Sequence, residues 1–275
     1  VSGKTNVYVS EIVNPSSEVV KGLDQLTSFY SYSLDYLVIK TNPNDSYPLI
    51  ENISKTLIDR GALVYGPASL GKYVFANETY LTDEYYKGGY TLMEVYVPYP
   101  VFTKGAINFT KSLYKYGLVG GENAQRIDIV NQSTDYYFTI TLPLTILLLL
   151  AYLMASLRSV FMSLRLALTL GISAVIGLSL TYLAFNNLYW LTPLVIFAIM
   201  FSLGIDYDMF IIVRSLEERG SPAQRILRAI EMTGMAVTSS GLILSGAFFS
   251  LLLSEMRFLQ EIGFGVAVTI AIDTF

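Results

Sequence analysis

Hydrophobic and polar positions divide the chain into two unlike parts, with the change near residue 136. Beyond that point, apolar residues form runs of about 20, the length that a helix needs to cross the hydrocarbon core of a bilayer. Short polar breaks separate these runs. The pattern predicts five membrane-spanning helices, the last of them incomplete, over residues 136–157, 163–185, 190–214, 233–254 and 258–275.

The first 135 residues mix polar and apolar positions in shorter segments. Residues 90–97 alternate and are rich in β-branched and aromatic side chains, which predicts a strand, while residues 48–60 show the spacing of an amphipathic helix. The glycine pair Gly120 and Gly121 favours a turn. We therefore predict a compact α+β domain over residues 1–135 and a transmembrane domain over residues 136–275.

Positive charge is unevenly distributed over the loops between the predicted spans. The segments from Arg158 to Arg165 and from Arg214 to Arg228 contain six arginines, whereas the loop at Asn186 has none and the loop at Glu255 is followed by one. Because cytoplasmic loops carry the excess of lysine and arginine, the arginine-rich side is predicted to face the cytoplasm. The protein is then a multi-pass protein of the cytoplasmic membrane, with its N-terminal domain extracellular.

Five Asn-x-Ser/Thr sequons all fall in the first part of the chain, which agrees with an outer location. Extracellular domains in animals usually contain disulfides, and this sequence has no cysteine. Sequons without disulfides therefore indicate a prokaryotic, and more specifically an archaeal, glycoprotein. The predicted glycosylation sites are Asn44, Asn52, Asn77, Asn108 and Asn131.

The composition removes several classes of function. Without cysteine or histidine, the chain has neither a thiolate or imidazole metal ligand nor the ordinary base of a hydrolytic triad. A net charge of −4, with no run of lysine and arginine, gives no footprint for nucleic acid. We therefore expect no metal, no cofactor and no enzymatic activity.

Two aspartates interrupt the third predicted span, where Asp206 and Asp208 flank Tyr207 in an otherwise apolar segment. An acid at the centre of a membrane helix costs about 2.5–3.5 kcal/mol on insertion scales, so its presence needs a reason. Such a carboxyl can bind a proton from one side of the membrane and release it to the other, which makes Asp206 with Tyr207 a candidate proton relay. The alternative is a structural role, with the carboxyl satisfied by a neighbouring helix.

Other polar residues in the apolar half are secondary candidates. We expect Arg214 to anchor the inner end of its helix, and residues 221–232 to form a separate amphipathic helix on the inner surface. Small residues near Gly241 favour close helix packing, which explains most of their occurrence. The secondary relay candidates are Asp273, Thr238, Ser239 and Asp208.

The motif Asp206-Tyr207-x-x-Phe210-Ile211-x-x-Arg214 resembles the signature of the MMPL-type transporters of the resistance-nodulation-division (RND) superfamily. Leu216 differs, because a second arginine often stands there in the family. The resemblance is sharpest over residues 204–241 and spans most of the chain. It also rests on Val119-Gly120-Gly121, Thr233-Gly234, Thr238-Ser239-Ser240-Gly241 and Ile272-Asp273-Thr274-Phe275.

This resemblance implies an incomplete RND-type half-transporter, a polytopic α-helical membrane protein with a porter-like outer domain. In such transporters the Asp-Tyr pair meets its counterpart from the other half, so the expected partner is a missing N-terminal half of the same chain or a second protomer. The implied function is export of lipids or other hydrophobic molecules driven by protons, with membrane lipids as further partners. The alternatives are a protein-export accessory motor of the same superfamily and a non-transporting membrane sensor or envelope scaffold.

Overall fold

The protein is described by a computed structural model that covers residues 4–6, 14, 16–41, 43–75 and 82–274. The chain forms two compact units. The sheet unit is Val7–Gln132, and the helical unit is Ser133–Phe275 together with Val1–Asn6. Strand β1 (Lys4–Asn6) belongs to the helical unit, so the N-terminal segment and the predicted transmembrane domain share one unit.

The sheet unit mixes helices and strands, as its alternating pattern predicted. Two long strands, β2 and β7, occupy the middle of an antiparallel sheet with the order β5-β4-β3-β7-β2-β8, and β6 pairs with β7. The elements are α1 (Glu18–Phe29), β2 (Ser33–Lys40), α2 (Pro43–Asp59), β3 (Leu63–Gly66), β4 (Ser69–Gly71), β5 (Tyr73–Val74), α3 (Thr82–Tyr85), β6 (Tyr86–Lys87), β7 (Tyr90–Val97), α4 (Lys104–Leu113) and β8 (Leu118–Gly121).

One face of the sheet forms the core of this unit. Successive side chains of a strand point to opposite faces, so the alternate residues of β2 and β7 are buried against helices α2 and α4. Leu37, Met93 and Val95 are fully buried there beside Leu57 and Leu113. The opposite face carries the half-buried and exposed residues of the same strands.

The predicted turn at Gly120 and Gly121 is wrong, because both glycines belong to strand β8. They pair with Tyr36 and Asp35 of β2, and this edge pairing supplies the hydrogen bonds that a turn would have made locally. Gly121 has a φ of +120°, a conformation that glycine adopts without steric cost. The chain bends there and enters the next helix at Glu122.

The helical unit consists of long helices joined by short connections. Helix α5 (Glu122–Tyr136) continues through a π-helical turn (Tyr137–Thr141) into α6 (Leu142–Leu157). The remaining elements are α7 (Val160–Phe185), β9 (Asn187–Tyr189), α8 (Thr192–Glu217), α9 (Pro222–Phe249) with a 3-10 turn (Ser250–Leu253), and α10 (Arg257–Thr274). Strand β1 pairs in parallel with β9.

Within the described residues, four helices are long and apolar enough to cross a membrane: Glu122–Leu157, Val160–Phe185, Thr192–Glu217 and Pro222–Leu253. The fifth predicted span corresponds to α10, whose 18 residues include three ionisable ones, Arg257, Glu261 and Asp273. The chain is therefore a multi-pass membrane protein. Helix α10 packs among the others, with Val266 and Ile270 buried in the same cluster as residues of α7 and α8.

The separate inner-surface helix predicted for residues 221–232 is wrong. Helix α9 runs without a break from Pro222 to Phe249, so the polar segment and the following span are one helix. Its start is as predicted, with Ser221 before the helix, Pro222 in the first turn, and the Gln224 side chain accepting a hydrogen bond from the Ser221 N–H at 3.2 Å. Gly234 lies two residues after the predicted end, but the helix continues through it to Phe249.

Candidate proton-relay site in the helical unit

Asp206 and Tyr207 lie near the middle of helix α8. Residue 206 is the fifteenth of the 26 residues from Thr192 to Glu217, which places it about 16 Å along the axis from the C-terminal end of the helix. The backbone of residues 206–208 is helical, and their side chains lie outside the described part of the structure. The roles of Asp206, Tyr207 and Asp208 therefore stay predictions, built on the side chains that surround this turn.

The carboxylate of Asp273 packs against helix α8 at this depth. A Cβ atom added to Gly204 would lie 3.1 Å from Asp273 Oδ2 and would also collide with Leu170. Gly204 is buried, and it precedes Asp206 by two residues, about half a turn. The glycine thus allows Asp273 of α10 to lie about 3 Å along the axis from residue 206, on the side of α8 that Gly204 faces.

A cavity of about 430 Å³ between α7, α8, α9 and α10 reaches Asp273. Arg165 also lines it, and this arginine belongs to the side predicted to be cytoplasmic. Ile212, Ile226 and Ile230 supply an apolar wall. The polar members of the lining are Arg165, Thr169, Ser173, Ser215 and Asp273, enough to hydrate the cavity.

The small residues of α9 serve packing against α10. A Cβ atom at Gly241 would come within 2.5 Å of the Thr274 side chain, and the Ser245 hydroxyl donates a hydrogen bond to the Ala267 carbonyl at 2.6 Å. Thr238 is partly buried and Ser239 is exposed. The close approach at Gly241 and Ser245 fits the packing interpretation, while a relay role for Thr238 and Ser239 stays a prediction.

Arg214 lies in the last turn of α8, the end that was predicted to face the cytoplasm and to be anchored by this residue. Its guanidinium forms ion pairs with Glu217 at 3.0 Å and Glu218 at 2.9 Å, and its side chain is 34% exposed. Glu218 also lies 4.0 Å from Arg228 of α9. These pairs connect the end of α8 with the start of α9.

In the helical unit, the sequence interpretation missed a buried acid, Glu261 of α10, which is 0% exposed. Its Oε2 accepts hydrogen bonds from the Tyr189 N–H at 2.8 Å and the Thr192 hydroxyl at 2.7 Å. Arg257 lies 3.5 Å from Oε1 and donates to the Phe185 carbonyl at 2.8 Å. The signal in the sequence was the i, i+4 spacing of Arg257 and Glu261 ahead of an apolar run.

The sheet unit contains a buried carboxyl of its own, Asp35 of β2, which is 0% exposed. Its Oδ2 accepts a hydrogen bond from the Thr110 hydroxyl, and Oδ1 has no hydrogen-bond partner among the described residues. Burial raises the pKa of Asp35 to about 6, against the lowering effects of the Thr110 hydrogen bond and of the nearby Asn123 amide, which itself donates to the Ser33 hydroxyl. Glu122 makes a smaller raising contribution. A nearby phenol is affected too, since burial and its hydrogen bond to Asp128 raise the pKa of Tyr114 to about 12.

Three of the five predicted glycosylation sites, Asn52, Asn108 and Asn131, have exposed side chains. Asn77 and the side chain of Asn44 lie outside the described residues. In two of these sequons, the hydroxyl of the third residue makes a hydrogen bond inside the domain. Ser54 is buried against the Ser69 hydroxyl at 3.2 Å, and Thr110 donates to Asp35, so packing alone accounts for a hydroxyl at both positions.

Among the described residues, no group of three or more aspartate or glutamate side chains has the arrangement of a metal site. The fold and this site define a polytopic membrane protein with acids placed inside its helix bundle. Comparison with known proteins assigns the family. The profile of the MMPL family matches residues 118–275, which is more than half of the chain, so the chain belongs to the MMPL family.

Individual relatives agree with this assignment. The membrane protein ActII-3 of Streptomyces coelicolor is 30% identical over 164 residues, covering 57% of this chain and 23% of the relative. A second membrane protein of that species is 34% identical over 166 residues, covering 58% and 20%. The acyltrehalose exporter MmpL10 of Mycobacterium tuberculosis is 30% identical over 128 residues, covering 44% and 13%.

The chain thus spans less than a quarter of the length of these relatives. They are bacterial proteins and give no support to the archaeal origin that the sequons suggested. Membership of the MMPL family confirms the MMPL resemblance drawn from the Asp-Tyr motif. The residue roles within that motif remain predictions.

Proposed function

We propose that the chain works as one half of a proton-driven exporter of lipids or other hydrophobic molecules. The observation that supports this proposal is the contact of an α10 acid, Asp273, with the part of α8 that bears the Asp-Tyr motif. Asp206 lies on the turn of α8 that follows Gly204, and the Asp273 carboxylate packs on Gly204 itself. Intramembrane acids are costly and commonly mark proton pathways.

The cavity that Arg165 and Asp273 line would give Asp273 a route to one side of the membrane. It extends from Arg165 to Asp273, so water entering from the arginine-rich side reaches the acid on α10. A proton that moves through a potential of 100 mV releases about 2.3 kcal/mol, which biases a conformational equilibrium more than tenfold. Protonation of Asp206, with Tyr207 as its hydrogen-bonding partner, is the proposed event that is coupled to this change.

A hydrophobic cargo is supported by a second cavity, of about 570 Å³, between α6 and α7 and beside α8. Its lining is apolar throughout, and the residues that form its walls include Leu142, Ile146, Leu168, Ile172, Phe197 and Phe201. A cavity of this size and character suits an acyl chain. The relative MmpL10 exports acyltrehaloses, and a long-chain acyl compound is the cargo class that we infer for this chain.

The test is transport by the reconstituted protein in vesicles with an imposed pH gradient. A fluorescent acyltrehalose serves as the cargo probe, and a pH-sensitive dye inside the vesicles reports proton movement. Asp206→Asn should abolish gradient-driven transport and the coupled proton flux, and Asp273→Asn should reduce both, while the helical content stays unchanged. Glu231→Gln is the matched control, since Glu231 is an exposed acid of α9 away from this turn.

Gradient-driven transport that survives in Asp206→Asn would refute proton coupling at this residue. If neither cargo nor protons move when the wild-type chain is reconstituted together with its other half, a sensor or scaffold role replaces the exporter. Stimulation by an unfolded secreted polypeptide in place of the acyl probe would instead favour the protein-export motor.

A further inference from the structure

The face of the sheet that points away from α2 and α4 carries an aromatic cluster around one acid. Glu94 of β7 pairs across the sheet with Tyr36 of β2 on one side and Tyr65 of β3 on the other. Directly opposed residues have Cβ atoms about 4.5–5.5 Å apart. Tyr96 follows two residues later on the same face, and its ring contacts the Tyr65 ring edge to face at 5.4 Å between centroids.

The Glu94 carboxylate has no cationic partner among the described residues. It is partly buried among tyrosines, and Tyr36 is 39% exposed. Burial, and after it the negative charge of Glu94, raises the pKa of the Tyr96 and Tyr85 phenols, so these phenols remain neutral near pH 7. The ring faces carry the negative side of the aromatic quadrupole, which adds to the negative potential of the carboxylate.

Lys72, in the connection between β4 and β5, forms no ion pair with Glu94 in the described part of the chain, and two lysines on the strands of this face lie at its other end. Lys40 of β2 and Lys87 of β6 both pair with Tyr90, four residues from Glu94 along β7. At the rise of a strand, this is about 13 Å. No lysine on these strands therefore neutralises the negative charge of Glu94 within the tyrosine cluster. The rim of the cluster is apolar, with Leu63 opposite Tyr96 and the 47% exposed Leu70 opposite Tyr65.

We propose that Tyr36, Tyr65, Tyr96 and Glu94 form a binding site for a hydrophobic cation, a quaternary or protonated amine that carries apolar substituents. Charge complementarity selects this ligand, because a carboxylate without a counter-ion and several ring faces attract a weakly hydrated cation together. The leucine rim accepts the apolar substituents. That such a cation is exported cargo depends on the function proposed above, whereas its binding to this face does not.

The test compares two probes of nearly identical shape and opposite charge, tetraphenylphosphonium and tetraphenylborate. Their binding to the detergent-solubilised full chain is measured by isothermal titration calorimetry without any gradient, with protein-free micelles as the blank. Wild-type protein should bind the phosphonium and prefer it over the borate at least tenfold. Glu94→Gln should weaken phosphonium binding by roughly tenfold, the loss expected for one charge contact.

Two further variants separate the site from general effects of charge or folding. Glu51→Gln removes an acid that pairs with Lys55 on helix α2, and it should leave phosphonium affinity unchanged. Tyr36→Leu removes an exposed ring without disturbing the core, and it should weaken binding roughly threefold to tenfold. If Glu94→Gln misfolds, the phosphonium affinity of Tyr36→Leu alone tests the site.

Equal affinity for the phosphonium and the borate, or equal losses in Glu94→Gln and Glu51→Gln, would overturn the proposal. These binding results are independent of Asp206→Asn, since no proton gradient is present. A protein that binds the cation but transports nothing would keep the site and refute only the export function.

Discussion

Asp35 should make the stability of the sheet unit depend on pH in a direction opposite to that of most aspartates. Its folded-state pKa is raised to about 6, from the 3.8 that is usual for an aspartate in water. The unfolded chain therefore loses this proton at a lower pH than the folded chain does. The stabilisation from protonated Asp35 is complete below about pH 4, is lost as the pH rises to about 6, and stays lost above that value.

The magnitude follows from the shift of about two pKa units, which at about 1.4 kcal/mol per unit corresponds to about 3 kcal/mol. Asp35 is 0% exposed, so solvent screens this difference only weakly. In structural terms, the cost is that of an ionised carboxylate whose Oδ1 accepts no hydrogen bond from the described residues. Asp35→Asn keeps an oxygen for the Thr110 hydroxyl and removes the charge.

Hydrogen exchange of the amides in β2 and β8 measures the local stability around Asp35. The measurement runs from pH 4 to pH 8 and is corrected for the intrinsic exchange rate. Wild-type protein should lose about 3 kcal/mol of opening free energy over this range, and Asp35→Asn should show no such loss. Asp128→Asn, an exposed-site change on α5, should keep the wild-type slope. A wild-type opening free energy that rises with pH, or an Asp35→Asn slope equal to the wild-type slope, would refute the reasoning.

Two further predictions concern packing in the helical unit, both read out as melting temperature in detergent. Gly177→Ala should destabilise the protein by about 1–3 kcal/mol, because the new Cβ would collide with Thr269, whereas Gly246→Ala meets nothing within 4 Å and should be neutral or stabilising by up to about 1 kcal/mol. Equal effects would contradict the packing at Gly177. Glu261→Ala should lower the free energy of unfolding by about 3–5 kcal/mol, because it leaves Arg257 and the buried donors of Tyr189 and Thr192 unpaired. Glu261→Gln should lower it less, since glutamine retains an acceptor. An alanine variant as stable as the wild type would show that Glu261 does not stabilise the bundle.

The long helices could be predicted from sequence because hydrophobic length is a local property. Residues 160–185 and 192–217 are helices close to their predicted bounds for that reason. The predicted end of a helix at residue 232 was wrong because it was inferred from a change of polarity along the sequence. Polarity governs where a helix lies relative to a membrane, while backbone hydrogen bonding continues through α9 regardless.

The contacts of the candidate site depended on which residues meet across helices. That Asp273 lies against Gly204 follows from the axial position and rotation of α10 relative to α8, and one sequence does not determine either. The same holds for Glu94, whose tyrosine neighbours come from strands separated by 29 and 58 residues in sequence. Register, rather than composition, brings Tyr36 and Tyr65 to one carboxylate.

Helix α10 has a consequence for how the protein is made. Arg257, Glu261 and Asp273 each weaken the tendency of this segment to leave the translocon sideways into lipid, by up to about 2.5–3.5 kcal/mol for a charge near the helix centre. In the finished bundle, Glu261 is satisfied by Tyr189 and Thr192, and Gly204 makes room for Asp273. Those partners are synthesised earlier, so α10 should enter the bilayer only once α7 and α8 are there to receive it, and its insertion becomes a late, partner-dependent step of biogenesis.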